Sequence, residues 1–148
     1  LRRGDVQAMS AGTGVRHSEF NDSDREAAHF LQIWILPRAE GLAPAYRQAT
    51  IPDAAKRNAL RLLVAPDGAD GALAINQDVR MFGSLLDPGK SLVHALAPGR
   101  AAWIQVVEGE IEVNGERLAT GDGASVEAVE EIAIAARAAT EFLLFDLA

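Results

Sequence analysis

The 148-residue chain is long enough to bury a sizeable single core, and a hydrophobic content of 49% excludes a disordered chain. Fourteen Lys and Arg face twenty-one Asp and Glu for a net charge of −7, and no cationic cluster stands ready to neutralise phosphates, so nucleic-acid binding is not expected. Cysteine is absent, which excludes disulfides and thiolate metal sites and fits a cytoplasmic protein; neither a membrane span nor a signal peptide is expected.

In chain order, residues 1–20 read as short strands around a glycine turn, Ala11-Gly12-Thr13-Gly14. His17 and Glu19 follow that turn at i and i+2, so an extended strand presents both on one face. A turn that feeds an imidazole and a carboxylate into one cavity suits a divalent metal held by nitrogen and oxygen. On spacing alone, a solvated strand pair is the competing reading. Ser18 faces away from both neighbours on such a strand, and with no G-x-S-x-G and no cysteine, nucleophilic catalysis has no support. Met9 and Phe20 are expected to pack in the core or to line a pocket.

Asn21 to Glu26 is a polar loop, and His29 to Leu36 a strand rich in aromatic and β-branched residues, ended by Pro37. His29 opens that strand as a structural histidine with satisfied hydrogen bonds. Arg38 to Pro44 is a connection between two units. Ile51 to Lys56 suits a helical turn, with Pro52 and Asp53 at its start. Strands are then expected at Asn58–Ala65, Ala72–Ile75, Val79–Leu86, Ser91–Leu96 and Ala101–Val107. Glu110–Val113 runs into Asn114-Gly115, a strong hairpin signal, and Ala124–Glu127, Ile132–Ala136 and Glu141–Leu147 complete the set. Arg2, Arg3, Lys56, Arg57 and Arg61 read as solvated surface, as do Glu108, Glu110, Glu112, Glu127, Glu130 and Glu131. Many short strands divided by turn residues define an all-β jelly-roll barrel or sandwich.

The wording of particular stretches adds to this pattern. Gly4-Asp5-Val6-Gln7, Met9-Ser10-Ala11-Gly12 and His17-Ser18-Glu19 resemble the signature of the pirin family, cupin proteins with two stacked β-barrels. The resemblance continues through Phe30–Pro37, Pro44–Gln48, Trp103–Gly109, Val113–Gly115 and Leu143–Leu147, nearly the whole chain in ordered pieces. It implies residues 1–45 as part of an amino-terminal metal-binding barrel and residues 46–148 as a carboxy-terminal cupin barrel. It also implies a metal, Fe(II) first, bound by three histidines and one glutamate. His17 and Glu19 match two of these ligands, with Glu19 also the catalytic proton acceptor; the preceding H-x-H pair has no counterpart in this sequence.

That departure leads us to expect an amino-terminally truncated chain, inactive by itself, from a parent resembling quercetin 2,3-dioxygenases, which open flavonols with molecular oxygen. The alternative implied by the family is a metal-dependent regulator that binds a protein partner. In the second barrel, Gly109 sets the cupin register and places Ala95 and Ala97, or Leu96 and Pro98, then Ala102 and Ala124, where other cupins carry ligands. None of these side chains binds a metal, and His94 lies out of phase and is expected to stand without partners. Barrel strands left without neighbours also raise the expectation of a homodimer.

Overall fold

The computed structural model describes all residues from Leu1 to Ala148. Twelve strands and very little helix form two facing sheets and a small third one. The larger sheet has six strands in the order β10 (Gly123–Val126), β7 (Ala101–Glu108), β12 (Thr140–Leu147), β5 (Val79–Leu86), β3 (Arg61–Ala65) and β4 (Leu73–Ala74). The second has four, in the order β6 (Ser91–Ala95), β11 (Glu131–Ala136), β8 (Glu110–Val113) and β9 (Glu116–Ala119). All pairings within these two sheets are antiparallel except β3 with β4. This is the expected all-β cupin-type barrel.

Alternation along the strands explains the closure. Ala102, Ile104 and Val106 of β7, Phe142 and Leu144 of β12, Ile111 and Val113 of β8, and Ile132, Ile134 and Ala136 of β11 point inward to one core. Residues between them point out. The β8–β9 hairpin turns through Asn114 (φ 47°) and Gly115 (φ 92°), the two positive φ values that match the twist of the strands. Gly109 is required for a different reason: a Cβ there would sit 2.3 Å from the Ala139 carbonyl oxygen, where β12 passes close.

The outer face of the six-stranded sheet is apolar too. Leu63, Met81 and Phe145 join Ile51, Val64, Leu73 and Val79 in a second core. It is covered by the third sheet, an antiparallel pair of β1 (Asp5–Ser10) and β2 (Ala45–Thr50), through Val6, Ala8 and Ala49, with Ile35 beside them. The strand β2 was not expected from the sequence, because Tyr46-Arg47-Gln48 shows little hydrophobic alternation.

Three local expectations are corrected. His29–Leu36 has strand-type residues but forms no strand, and in residues 1–20 only β1 does; residues 11–44 run as an irregular strap. A strand exists only where a neighbour completes its hydrogen-bond ladder, and these residues have no neighbour. The expected strand Asn58–Ala65 starts at Arg61, since Asn58 takes a left-handed φ of 55° and its side chain bonds Asp87 instead. Lys56, expected in solvent, is buried at the end of α1 (Asp53–Lys56), where Nζ lies 3.2 Å from Glu141 and 3.4 Å from Asp53.

Candidate functional site

The turn before the expected metal ligands forms as its residues suggest. Gly12 has φ 53°, and a Cβ there would lie 2.0 Å from the carbonyl oxygen of Leu42, which accepts a hydrogen bond from Thr13 N–H at 3.1 Å. Beyond Gly14 the chain is irregular, and His17 and Glu19 sit on it exposed, with no protein partner for either side chain. They are not carried on one face of a strand. No group of three or more His, Asp or Glu residues is placed to hold a metal ion. A resident metal site takes three or more protein donors, so the two on the strap do not fit a stably bound ion in this chain. Met9 is 45% exposed and Phe20 88%, so neither packs in the core. His29, expected to be a satisfied structural histidine, is exposed and without a hydrogen-bond partner.

In the carboxy-terminal barrel, Leu96 and Ala102 are core residues. Ala124 lines a cavity of about 240 Å³ at the gap between β9 and β10, with Val113, Leu118 and Val126 as apolar walls and Glu116 and Glu127 among its polar lining.

The structure also holds a charged cluster that the sequence reading missed. His94, on the inward face of β6, is not without partners: its Nε2 lies 3.0 Å from Oδ2 of Asp146. The other oxygen of Asp146 accepts from Nε of Arg100, whose Nη1 reaches Asp78 at 3.1 Å and whose Nη2 reaches the Asp146 carbonyl at 3.1 Å. Asp146 and Asp78 hold the Arg100 guanidinium above its ordinary pKa, the Asp146 hydrogen bond being the larger cause. Phe82 packs its ring 5.1 Å from that of His94. These contacts clamp the turn before β7 onto the end of β12. The signal was present in the Phe142, Leu144, Asp146 alternation, which aims one carboxylate inward and so demands a buried partner.

A second ionic set ties the amino-terminal turn to the barrel. Arg3 Nη2 lies 2.8 Å from Glu141, which also receives Lys56. Asp5 is held below the ordinary carboxylate value by the Thr50 hydroxyl and the Arg2 backbone, and Asp87 is held below it by the Asn58 amide and Arg57.

A cavity of about 340 Å³, open to solvent, lies between the strap and the outer face of β7 and β12. Leu31, Ile33, Trp34 and Ile35 face Trp103, Leu143, Phe145 and Leu147 there, with Gln32 and Gln105 as the only polar residues.

Inward apolar alternation, two facing antiparallel sheets and a glycine-tightened turn at Gly109 define a cupin-type β-barrel protein. Residues 62–147 match the family described as the quercetinase C-terminal cupin domain, and residues 1–35 match the family described as pirin. The chain belongs to the pirin family of cupins. It is 42% identical to a quercetin 2,3-dioxygenase of Escherichia coli K12, over 97% of this chain and 61% of that protein. The solved structure of YhhW from Escherichia coli matches all of this chain with a TM-score of 0.94 at 39% identity. A bacterial pirin YhhW from the same organism in complex with nickel(II) matches 97% of it with a TM-score of 0.91. The chain spans 62% and 61% of those two solved chains, respectively.

Proposed function

We propose that this chain is the carboxy-terminal part of a pirin-type, metal-dependent flavonol 2,3-dioxygenase, and that the 148 residues alone are inactive. The observation that carries the reading is the 42% identity to a quercetin 2,3-dioxygenase over nearly the whole chain, joined to coverage of only 61% of that protein. In this reading residues 1–45 belong to the first barrel and 46–148 to the second. His17 supplies an imidazole ligand, and Glu19 a carboxylate that is both ligand and acceptor of the flavonol hydroxyl proton. The metal is Fe(II) in the first instance, although one relative has been solved with nickel(II). The substrate is a planar flavonol-like molecule, and the compartment is the cytoplasm.

The reading stands on assay of two polypeptides: this chain, and a longer one extended to its relatives' length by an amino-terminal segment. Loss of the quercetin absorption band with release of carbon monoxide is expected from the longer protein only, and Glu19→Ala should abolish it. Turnover by the 148-residue chain, or full turnover by the longer Glu19→Ala protein, would overturn it.

The alternative is a metal-dependent regulator acting through a protein partner. Its support is the strap, where Phe30, Trp34 and Leu36 are 57%, 87% and 83% exposed. A longer protein that binds metal and captures a defined partner but consumes no flavonol would favour that reading.

A further inference from the structure

We propose that Gln77, with Asn76 beside it on the loop between β4 and β5, is a positioning residue for the strap. The two form a clasp that fastens the chain on either side of His17 and Glu19 and so sets where those residues stand. The catalytic role of Glu19 rests on the function proposed above; the clasp itself does not.

Residues 11–44 have no ladder, and only two of their hydrogen bonds reach the rest of the protein. Both end on this loop. The Arg38 N–H donates to the Asn76 carbonyl at 2.8 Å, and the Leu36 carbonyl accepts from Gln77 Nε2 at 2.8 Å. At the start of the strap, where β1 stops, Asn76 Nδ2 donates to Ser10 Oγ at 3.2 Å. Two neighbouring residues therefore hold Ser10 on one side of the exposed stretch and Leu36 and Arg38 on the other. Ile35 of the strap and Ile75 of the loop pack on the same second core. The path is not peculiar to a chain of this length, for the longer YhhW structure overlays all of it with a TM-score of 0.94.

The loop is itself fixed to the barrel. Its Ile75 N–H donates to the Ala65 carbonyl at 3.1 Å, and the Val79 N–H to the Gln77 carbonyl at 2.9 Å. The direction of the Gln77 amide follows from its neighbours. Its Oε1 accepts at 2.8 Å from the Asp78 N–H, a group that only donates, which leaves Nε2 for the Leu36 carbonyl, a group that only accepts. Asp78 in turn receives Arg100 Nη1 at 3.1 Å, and Arg100 is held by Asp146. Contacts thus run without a break from the charged cluster at the end of β12, through Asp78 and Gln77, to the strap. The cluster that clamps the barrel also steadies the clasp.

A segment held by few fastenings opens when one is removed, while the barrel beneath it stays closed. The test is residue-resolved amide exchange on this chain and its Gln77 variants. The Arg38 amide is expected to be protected in the wild type. Gln77→Glu keeps the shape and loses the donor, and Gln77→Met loses both polar ends. Each should speed Arg38 exchange at least about threefold, the scale of one lost hydrogen bond. Amides of β7 and β12 and the melting temperature should stay as in the wild type, which separates a loosened strap from a loosened fold.

The second readout is kcat against KM for quercetin loss by the protein extended to its relatives' length. Gln77→Met should lower kcat at least about tenfold and leave KM within about threefold, because a displacement of roughly 1 Å can cost on the order of a hundredfold in rate. Absence of turnover in the longer wild-type protein would sink the proposed function, and the clasp would still be judged by Arg38 exchange. An Arg38 amide that is unprotected in the wild type, or unchanged in both Gln77 variants, would overturn the clasp. So would an unaltered kcat for Gln77→Met in a longer protein that does turn over.

Discussion

His17 and His94 show how differently the two regions of this molecule are built. His94 stands on a paired strand, its ring against Phe82 and its Nε2 on Asp146, whose other oxygen is taken by Arg100. His17 stands on the strap, exposed and without a partner. Sequence had ranked them in the opposite order, since His17 has the better neighbour in Glu19. Residue type supplies the capacity for chemistry, but a completed ladder beneath the residue supplies its position. The carboxy-terminal barrel has that ladder, and residues 11–44 do not.

The sharpest way to break the comparison is to damage the barrel where it is most complete. Phe142 is fully buried between the two sheets. Phe142→Ala is expected to cost about 3–5 kcal/mol, read as a lower melting temperature or denaturant midpoint. Next is the clamp at the end of β12. Asp146→Ala leaves Arg100 and His94 without their shared acceptor and should cost about 3 kcal/mol, the scale for breaking a largely buried ion pair. A loss below about 0.5 kcal/mol, typical of a surface substitution, would show the clamp to be incidental.

Acid titration gives a smaller effect of defined sign. Asp87 is held below the ordinary carboxylate value of 3.8, first by the Asn58 amide and then by Arg57. In the unfolded chain this carboxyl takes up its proton at the ordinary value, so the stability it contributes is complete above that pH. It is lost as pH falls through the lower folded value. Asp87→Asn should therefore flatten the acid limb of a stability profile below about pH 4, set by the ordinary carboxylate pKa. An unchanged limb would remove Asp87 from the account. Smallest of all, His17→Ala and Glu19→Ala should each change stability by less than about 0.5 kcal/mol, because exposed side chains without partners hold nothing together.

Much of the barrel was legible in the sequence because its local signals agree with its packing. Val79–Leu86 was bounded correctly at both ends, and Asn114-Gly115 makes the hairpin its residues demand. Failures arose where a distant partner decides the outcome. Phe30 to Leu36 has every local property of a strand and is none, because strand formation belongs to a pair of segments. The polar β2 is a strand because β1 lies beside it. Lys56 read as surface because Glu141 is distant in sequence, and His94 read as solitary because Asp146 is too. For the candidate site, residue identities, a resemblance and the missing H-x-H ligands were legible; the exposure of His17 and Glu19 was not.

Residue-resolved amide hydrogen exchange tests the central contrast most directly. Amides of β5, β7 and β12 should exchange only with global unfolding, while those from Val15 to Leu36 should exchange at nearly unprotected rates. Strong protection of Val15–Leu36 would contradict the account, for it would mean that the segment carrying His17 and Glu19 is already folded into a hydrogen-bonded ladder.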